Sequence, residues 1–412
     1  MRLKNVDIIF LALARWDGPY SSTAYSIALE LSKNQRVFYI DNPFTLKDII
    51  ANYKTPNIRK RWLPLLFGKK KYTKIQDNLI AVTPGAVFPI NFLPKGMIYS
   101  FFQRINNVIL VRTMKKLIKE HQISDYILIN SFNPFYLFSI PKTIKPLLYV
   151  YQSVDDINKS KYVNKHGLRL ENEILKIADL CIVTSTKLWE EKKKIKKNTY
   201  LIPNAADFNL FEKAQSNNIE KPSEIKNWSG KIVCYTGNID SRLDFKLLLK
   251  IAKSLKNQLI LMIGPNSIIK STNNEEKSVA IEFFNQPNVL LTGRKDISQL
   301  PDYLQYASCA IIPFKCNELT ESIYPLKINE YLAAAKPVVS TAFSKDIMDF
   351  NTVAKIANSH EEFILGIKDA LNNPDLQKIK LGIDISRSNN WTSRVNHFYD
   401  IITDNINSYG RK

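Results

Sequence analysis

At 412 residues, 45% apolar and 23% charged, the chain can bury two sizeable cores and is too apolar to be disordered. No apolar run is long enough to cross a bilayer, and Cys181, Cys234, Cys309 and Cys316 show neither metal nor disulfide spacing, which fits a reducing cytosol. The net charge of +20 is lopsided, with 33 Lys and Arg against 15 Asp and Glu in residues 1–203 but 25 against 23 beyond them, so the first half points to a polyanionic partner, nucleic acid or an anionic membrane face.

The opening run "VDIIFLALA" (6–14) reads as a first buried strand rather than a secretory signal, because no small-residue cleavage site follows. Further strands are expected at 36–41, 79–83, 125–130, 146–152 and 179–185, with amphipathic helices at 22–33, 103–120, 166–178 and 186–197. The second half repeats the scheme with strands at 231–237, 258–264, 288–293, 309–314 and 337–341. Near-continuous apolar strands alternating with helices predict parallel sheets covered on both faces. The expected class is α/β, with two doubly wound domains, 1–203 and 204–388, and a terminal helical segment, 389–412.

Ligands of such sheets bind beyond the carboxyl ends of the strands. In the second domain those ends carry "TGNIDSRLD" (236–244), "GPNS" (264–267), "TGRKD" (292–296), "PFKCNELTESIYPLK" (313–327) and "STAFSKD" (340–346). Gly237 and Gly293 end strands, where a glycine admits either a tight turn or the close approach of a ligand. No loop matches the dinucleotide glycine fingerprint or a P-loop. In "YPLKINEYLAAAKPVVST" (324–341), Pro325 suits a first helical position. The free N–H groups of that turn and Lys327 suit an anion. Glu330 falls on the same face as Lys327. The pair is either a surface ion pair or a clamp, with lysine on a diphosphate and carboxylate on ribose hydroxyls.

These segments, with "NVLLTGRKDISQLPDYLQYASCAIIPF", resemble the donor half of a GT-B glycosyltransferase. The similarity is to the family-4-like group and to xanthan-type, membrane-associated glucuronosyltransferases of bacterial cell-surface polysaccharide synthesis. "LARWDGPYSSTAYSIALELSKNQRVFYID", "VYQSVDDI" and "IPNAADFNLF" resemble elements of the other half. The resemblance implies two Rossmann-like domains facing across a cleft, the first for the acceptor, the second for a nucleotide sugar, with the last helix crossing back to the first. It implies Lys327 on the donor phosphate and Glu330 on the ribose. It places Gly237 and Asn238 opposite the diphosphate, Arg294 near phosphates or base, and Tyr324 near the nucleoside. The family-4 pattern has a second glutamate eight residues before Glu330, where this chain has Ser322, with Glu318 and Glu321 nearby. Retaining stereochemistry is therefore not implied.

An inverting transfer needs a general base. Asp17, in "RWDGPYSS", and Asp155 and Asp156, in "QSVDDIN", follow strand ends of the first half. Asp17 equally suits a turn, and Asp155 or Asp156 a helix cap. A retaining reaction needs no protein base. No Asp-x-Asp pair is present, so neither metal nor cofactor is expected. The donor is expected to be uridine-linked.

The basic excess has a segment to itself. In "NIRKRWLPLLFGKKKY" (57–72), Arg59, Lys60, Arg61, Lys69, Lys70 and Lys71 surround Trp62, Leu63, Leu65, Leu66 and Phe67. Basic flanks on an apolar centre suit an anionic lipid surface. "AVFPINFLPKGMIYSFF" (86–102) adds aromatics and "EEKKKIKK" (190–197) adds charge. The reading is a cytoplasmic enzyme, peripheral at the inner face of the plasma membrane, with a lipid-linked or saccharide acceptor and no nucleic acid. The rivals are a sugar-nucleotide epimerase of the same fold and a basic nucleic-acid-binding protein.

Overall fold

Strands without polar alternation must be covered on both faces, and both sheets of this chain are built from such strands. The computed structural model describes residues 5–18, 22–62, 64–65, 68, 71–158, 163–216 and 219–408. It divides into two units, residues 1–203 with 394–412, and residues 204–393.

The first unit holds β1 (Asp7–Ala12), β2 (Val37–Ile40), β3 (Tyr72–Gln76), β4 (Leu79–Val82), β5 (Tyr126–Ser131), β6 (Leu148–Ser153), β7 (Leu180–Val183) and β8 (Thr199–Leu201). They form one sheet in the order β3-β4-β2-β1-β5-β6-β7-β8. Only β3 runs antiparallel to its neighbour. β1 is central, and its residues Ile8 to Ala12 are wholly buried. The order reverses between β1 and β5, so the loops after these two strands flank the switch point where such sheets take ligands. The terminal helix Trp391–Ser408 adds Val395, Phe398, Ile401 and Ile402 as buried residues. Its Asn405 donates to Tyr200 Oη at 3.1 Å.

The second unit holds β9 (Ile232–Thr236), β10 (Leu259–Ile263), β11 (Val289–Gly293), β12 (Cys309–Ile312), β13 (Val338–Thr341) and β14 (Lys355–Ala357). Their order is β11-β10-β9-β12-β13-β14, all parallel. Numbered within the unit this is 3-2-1-4-5-6, the dinucleotide-fold order. The switch point lies between β9 and β12. The apolar runs made these strands legible; β3, β8 and β14 were not anticipated. β3 is a mostly polar edge strand, "YTKIQ", and the other two are three residues long.

A buried charge pair braces the first unit. Lys192 Nζ lies 2.6 Å from Glu171 Oε2, and both side chains are almost fully buried. Tyr151 and Ser153 of β6 donate to the other carboxylate oxygen at 3.1 and 2.8 Å. Removing one partner of a buried pair strands the other charge. Lys192→Ala is expected to cost about 3–5 kcal/mol of stability, read as a lowered urea midpoint, whereas a midpoint equal to the wild type contradicts the bracing role.

Candidate functional site

The second unit's switch point is built on glycine. β9, β10 and β11 each end in a glycine of positive φ, Gly237 at 134°, Gly264 at 148° and Gly293 at 70°. They interlock, with Gly237 N–H donating to Ile263 O at 2.8 Å and Gly264 N–H to Gly293 O at 2.9 Å. A Cβ on Gly264 would stand 1.9 Å from Gly237 O, and one on Gly237 would stand 2.3 Å from Lys327 Cε. The missing side chains thus let Lys327 lie against the end of β9.

Lys327 comes from the helix Leu326–Ala333, whose fourth turn-mate Tyr331 fastens it to β9. Tyr331 Oη accepts from Thr236 N–H at 2.9 Å. Pro325 is the residue before the helix rather than its first member. The N–H groups of Leu326 and Ile328 turn to Tyr324 O and Pro325 O. The helix start therefore offers fewer free amides than its sequence implies. The Lys327 amine stands 5.8 Å from the Tyr235 ring centre and 6.0 Å from that of Phe314. Burial lowers its pKa, and so does the nearby Arg242, against the opposing pull of Glu330 and Asp240.

Arg242 and Asp240 belong to this site, though the sequence reading gave them no role. Arg242 is the one cation of the loop 236–244. Its guanidinium grips Asp240, with Nε 2.9 Å from Oδ1 and Nη2 2.7 Å from Oδ2. It shares the Phe314 ring with Lys327, at 5.8 Å. Asn238 donates to Asp240 at 2.7 Å and accepts from Ser267 at 2.9 Å. The signal was available, as a lone arginine two residues past an aspartate in a strand-end loop.

Glu330 is 7% exposed. Burial raises its carboxyl pKa to about 7, with Lys327 pulling the other way. The site thus joins Gly237, Asn238, Lys327 and Glu330. Arg294 lies apart, exposed just past β11 at the sheet edge. Tyr324 is a core residue, its ring 6.5 Å from Phe350 and its hydroxyl accepting from Asn329 at 3.2 Å. Ser322 is buried and donates to Leu319 O at 3.2 Å. Glu318 and Glu321 close a one-turn helix capped by Asn317.

In the first unit, Asp17 is a counterion. Its two oxygens accept from Arg61 Nη1 and Nη2, both at 2.9 Å. Arg61 also reaches Asp41 at 2.8 Å. One guanidinium thus occupies both Asp17 oxygens, so the geometry gives Asp17 the place of a structural counterion rather than of a base turned to an acceptor. The same contacts remove Arg61, 4% exposed, from the proposed lipid-facing cations. Of that segment, Leu63, Leu66, Phe67, Lys69 and Lys70 lie outside the described residues. Asp155 Oδ1 accepts from Asp156 N–H at 2.8 Å and Asp156 Oδ1 from Asn158 N–H at 2.9 Å, while the next described helix, Asn164–Ile177, follows Val163. Asp156 is buried and Asp155 exposed.

Because folding raises the Glu330 pKa, the folded chain binds the extra proton and loses stability as pH climbs from about 4.5 to about 7. Glu330→Gln is expected to match the wild type at pH 4.5 and to exceed it by on the order of 2 kcal/mol at pH 8. Melting curves at the two pH values check this, and a difference independent of pH contradicts it.

Residues 216–380 match the family model described as glycosyl transferases group 1. A protein of Bacillus subtilis (strain 168) named as a teichuronic acid biosynthesis glycosyltransferase, TuaH, is 30% identical over 177 residues, 42% of this chain and 42% of that protein. The match thus spans less than half the length of that relative. Sucrose-phosphate synthase from Thermosynechococcus elongatus has a similar structure, with TM-score 0.67 at 15% identity over 98% of this chain and 100% of that one. Trehalose-6-phosphate from E. coli, bound with UDP-2-fluoro glucose, gives 0.66 at 11% identity over 97% and 99%. WaaG, a glycosyltransferase of lipopolysaccharide biosynthesis, gives 0.57 at 13% identity over 96% and 99%. These likenesses show the GT-B fold.

Proposed function

We propose that this chain, whose second unit carries a glycosyl transferases group 1 domain on a GT-B fold, moves a sugar from a nucleoside-diphosphate sugar to an acceptor in cell-surface polysaccharide synthesis. The carrying observation is Lys327, set against Gly237 and beside Arg242, with Glu330 one turn along the same helix. The leaving group of such a transfer is a nucleoside diphosphate, and the principal task is to stabilise its growing negative charge. Lys327 and Arg242 supply two cations there. A bound diphosphate also restores the charge that burial disfavours on Lys327. The reaction so drawn needs neither metal nor cofactor.

Glu330 accepts hydrogen bonds from the ribose hydroxyls in its ionised form. A uridine base fits best, in keeping with the UDP-sugar in the E. coli neighbour. Arg294, beyond the sheet-edge strand, is left to the base end of the donor. For an inverting outcome the base is Asp155 or Asp156; a retaining outcome leaves both as structural residues. The acceptor is lipid-linked or a saccharide, as the TuaH and WaaG names fit. A lipid-linked acceptor places the enzyme at the inner face of the plasma membrane, held by the basic first unit.

Ligand occupancy raises melting temperature. UDP at saturating concentration is expected to shift the wild type upward by several degrees and Lys327→Ala by less than one, on the order expected for loss of a buried phosphate contact. An equal shift in the variant contradicts the assignment of Lys327.

A further inference from the structure

The helix Met97–Glu120 carries apolar residues on both its inward and its outward face. Its inward face is conventional, with Tyr99, Leu110, Met114 and Leu117 buried. Its outward stripe begins with Met97 at 91% exposure, Ile98 at 66% and Phe101 at 61%, and the lead-in loop adds Phe92 at 69%. The same outward stripe then turns cationic through Arg104, Arg112, Lys115 and Lys119, all exposed. From Met97 through Phe101, Arg104, the exposed Val108, Arg112, Lys115 and Lys119 the spacing is three or four residues, so these share one face. Glu120 is the helix's first acidic residue.

The apolar end is held in place from beneath. Lys165 Nζ donates to Phe92 O at 2.5 Å, and His166 Nε2 pairs with Leu93 O at 2.9 Å. The His166 ring stacks on Tyr99 at 4.1 Å between centres. A mobile loop would expose side chains at no cost; this one is braced with its large apolar groups outward, and such exposure marks an interaction surface.

We propose that this face docks on an anionic phospholipid bilayer, with Phe92, Met97, Ile98 and Phe101 entering the headgroup boundary and the cations downstream lying along the phosphates. Charge selects this occupant. A stripe about 33 Å long at the helical rise, four cations and no acid before its last residue, matches an extended anionic plane. The inference deepens the membrane reading above and rests on it. Of the segments that the sequence reading joined for this role, it fixes on 92–119, which overlaps 86–102, rather than on 57–72, where Arg61 is buried and paired.

The test is sedimentation of the full chain with vesicles of phosphatidylcholine alone or with phosphatidylglycerol. Binding is expected only to the anionic vesicles and is expected to weaken with salt. Replacing Met97, Ile98 and Phe101 together by Ser should lower partition at least tenfold. Replacing Arg112, Lys115 and Lys119 by Gln should lower it roughly a hundredfold, at about fivefold per charge. All six side chains are exposed, and an unchanged melting temperature and UDP shift show that fold and donor site persist. Equal partition of variants and wild type overturns the proposal. So does binding to neutral vesicles alone, self-association through this face without vesicle binding, or retention of an oligonucleotide at physiological salt in place of vesicles. A lost UDP shift in the wild type instead removes the donor reading while leaving the vesicle result to stand on its own.

Discussion

The candidate site of the second unit depends on one close approach, the Lys327 side chain lying against the backbone at Gly237. A Cβ there would meet Lys327 Cε at 2.3 Å, so the position of the amine and the absence of a side chain are one constraint. Everything around it serves that approach. Gly264 lets β10 pass beneath the Gly237 carbonyl, Tyr331 ties the lysine's helix to Thr236, and Asp240 keeps Arg242 beside the same aromatic ring. Burial disfavours the charge on Lys327 and the ionisation of Glu330. Buried groups whose charged forms are disfavoured mark a candidate binding site, and an anion set beside a buried lysine restores its charge.

The two sheets place this chemistry by the same rule. Each reverses its strand order at its central strand, and the loops after the central strands gather at that reversal. In the second unit the gathered loops carry the two cations. In the first they carry Asp17, and one guanidinium, Arg61, is shared between Asp17 and Asp41. The first unit's charge excess is therefore a property of its outer surface, not of its switch point.

The sequence made the second unit's architecture readable because its central strands are continuous apolar runs bounded by glycine. Lys327 and Glu330 were readable too, since their spacing on a short helix puts them on one face. What escaped was anything decided by tertiary contact. Arg61 looked like a surface cation until its two carboxylate partners folded over it. Tyr324 looked like a ligand contact, but its ring is needed beneath the helix. Arg242 carried a signal in its own loop, but its place beside the Phe314 ring that Lys327 also approaches is set by packing between segments more distant in the chain. β3, β8 and β14 are too short or too polar to carry a hydrophobic signal.

If the diphosphate is what the site holds, the phosphates must supply most of the affinity for a nucleotide. Calorimetric titration of UDP against uridine measures this directly. The account predicts that UDP binds at least about a hundredfold more tightly, as two charge-assisted phosphate contacts require; equal affinities for UDP and uridine would contradict it.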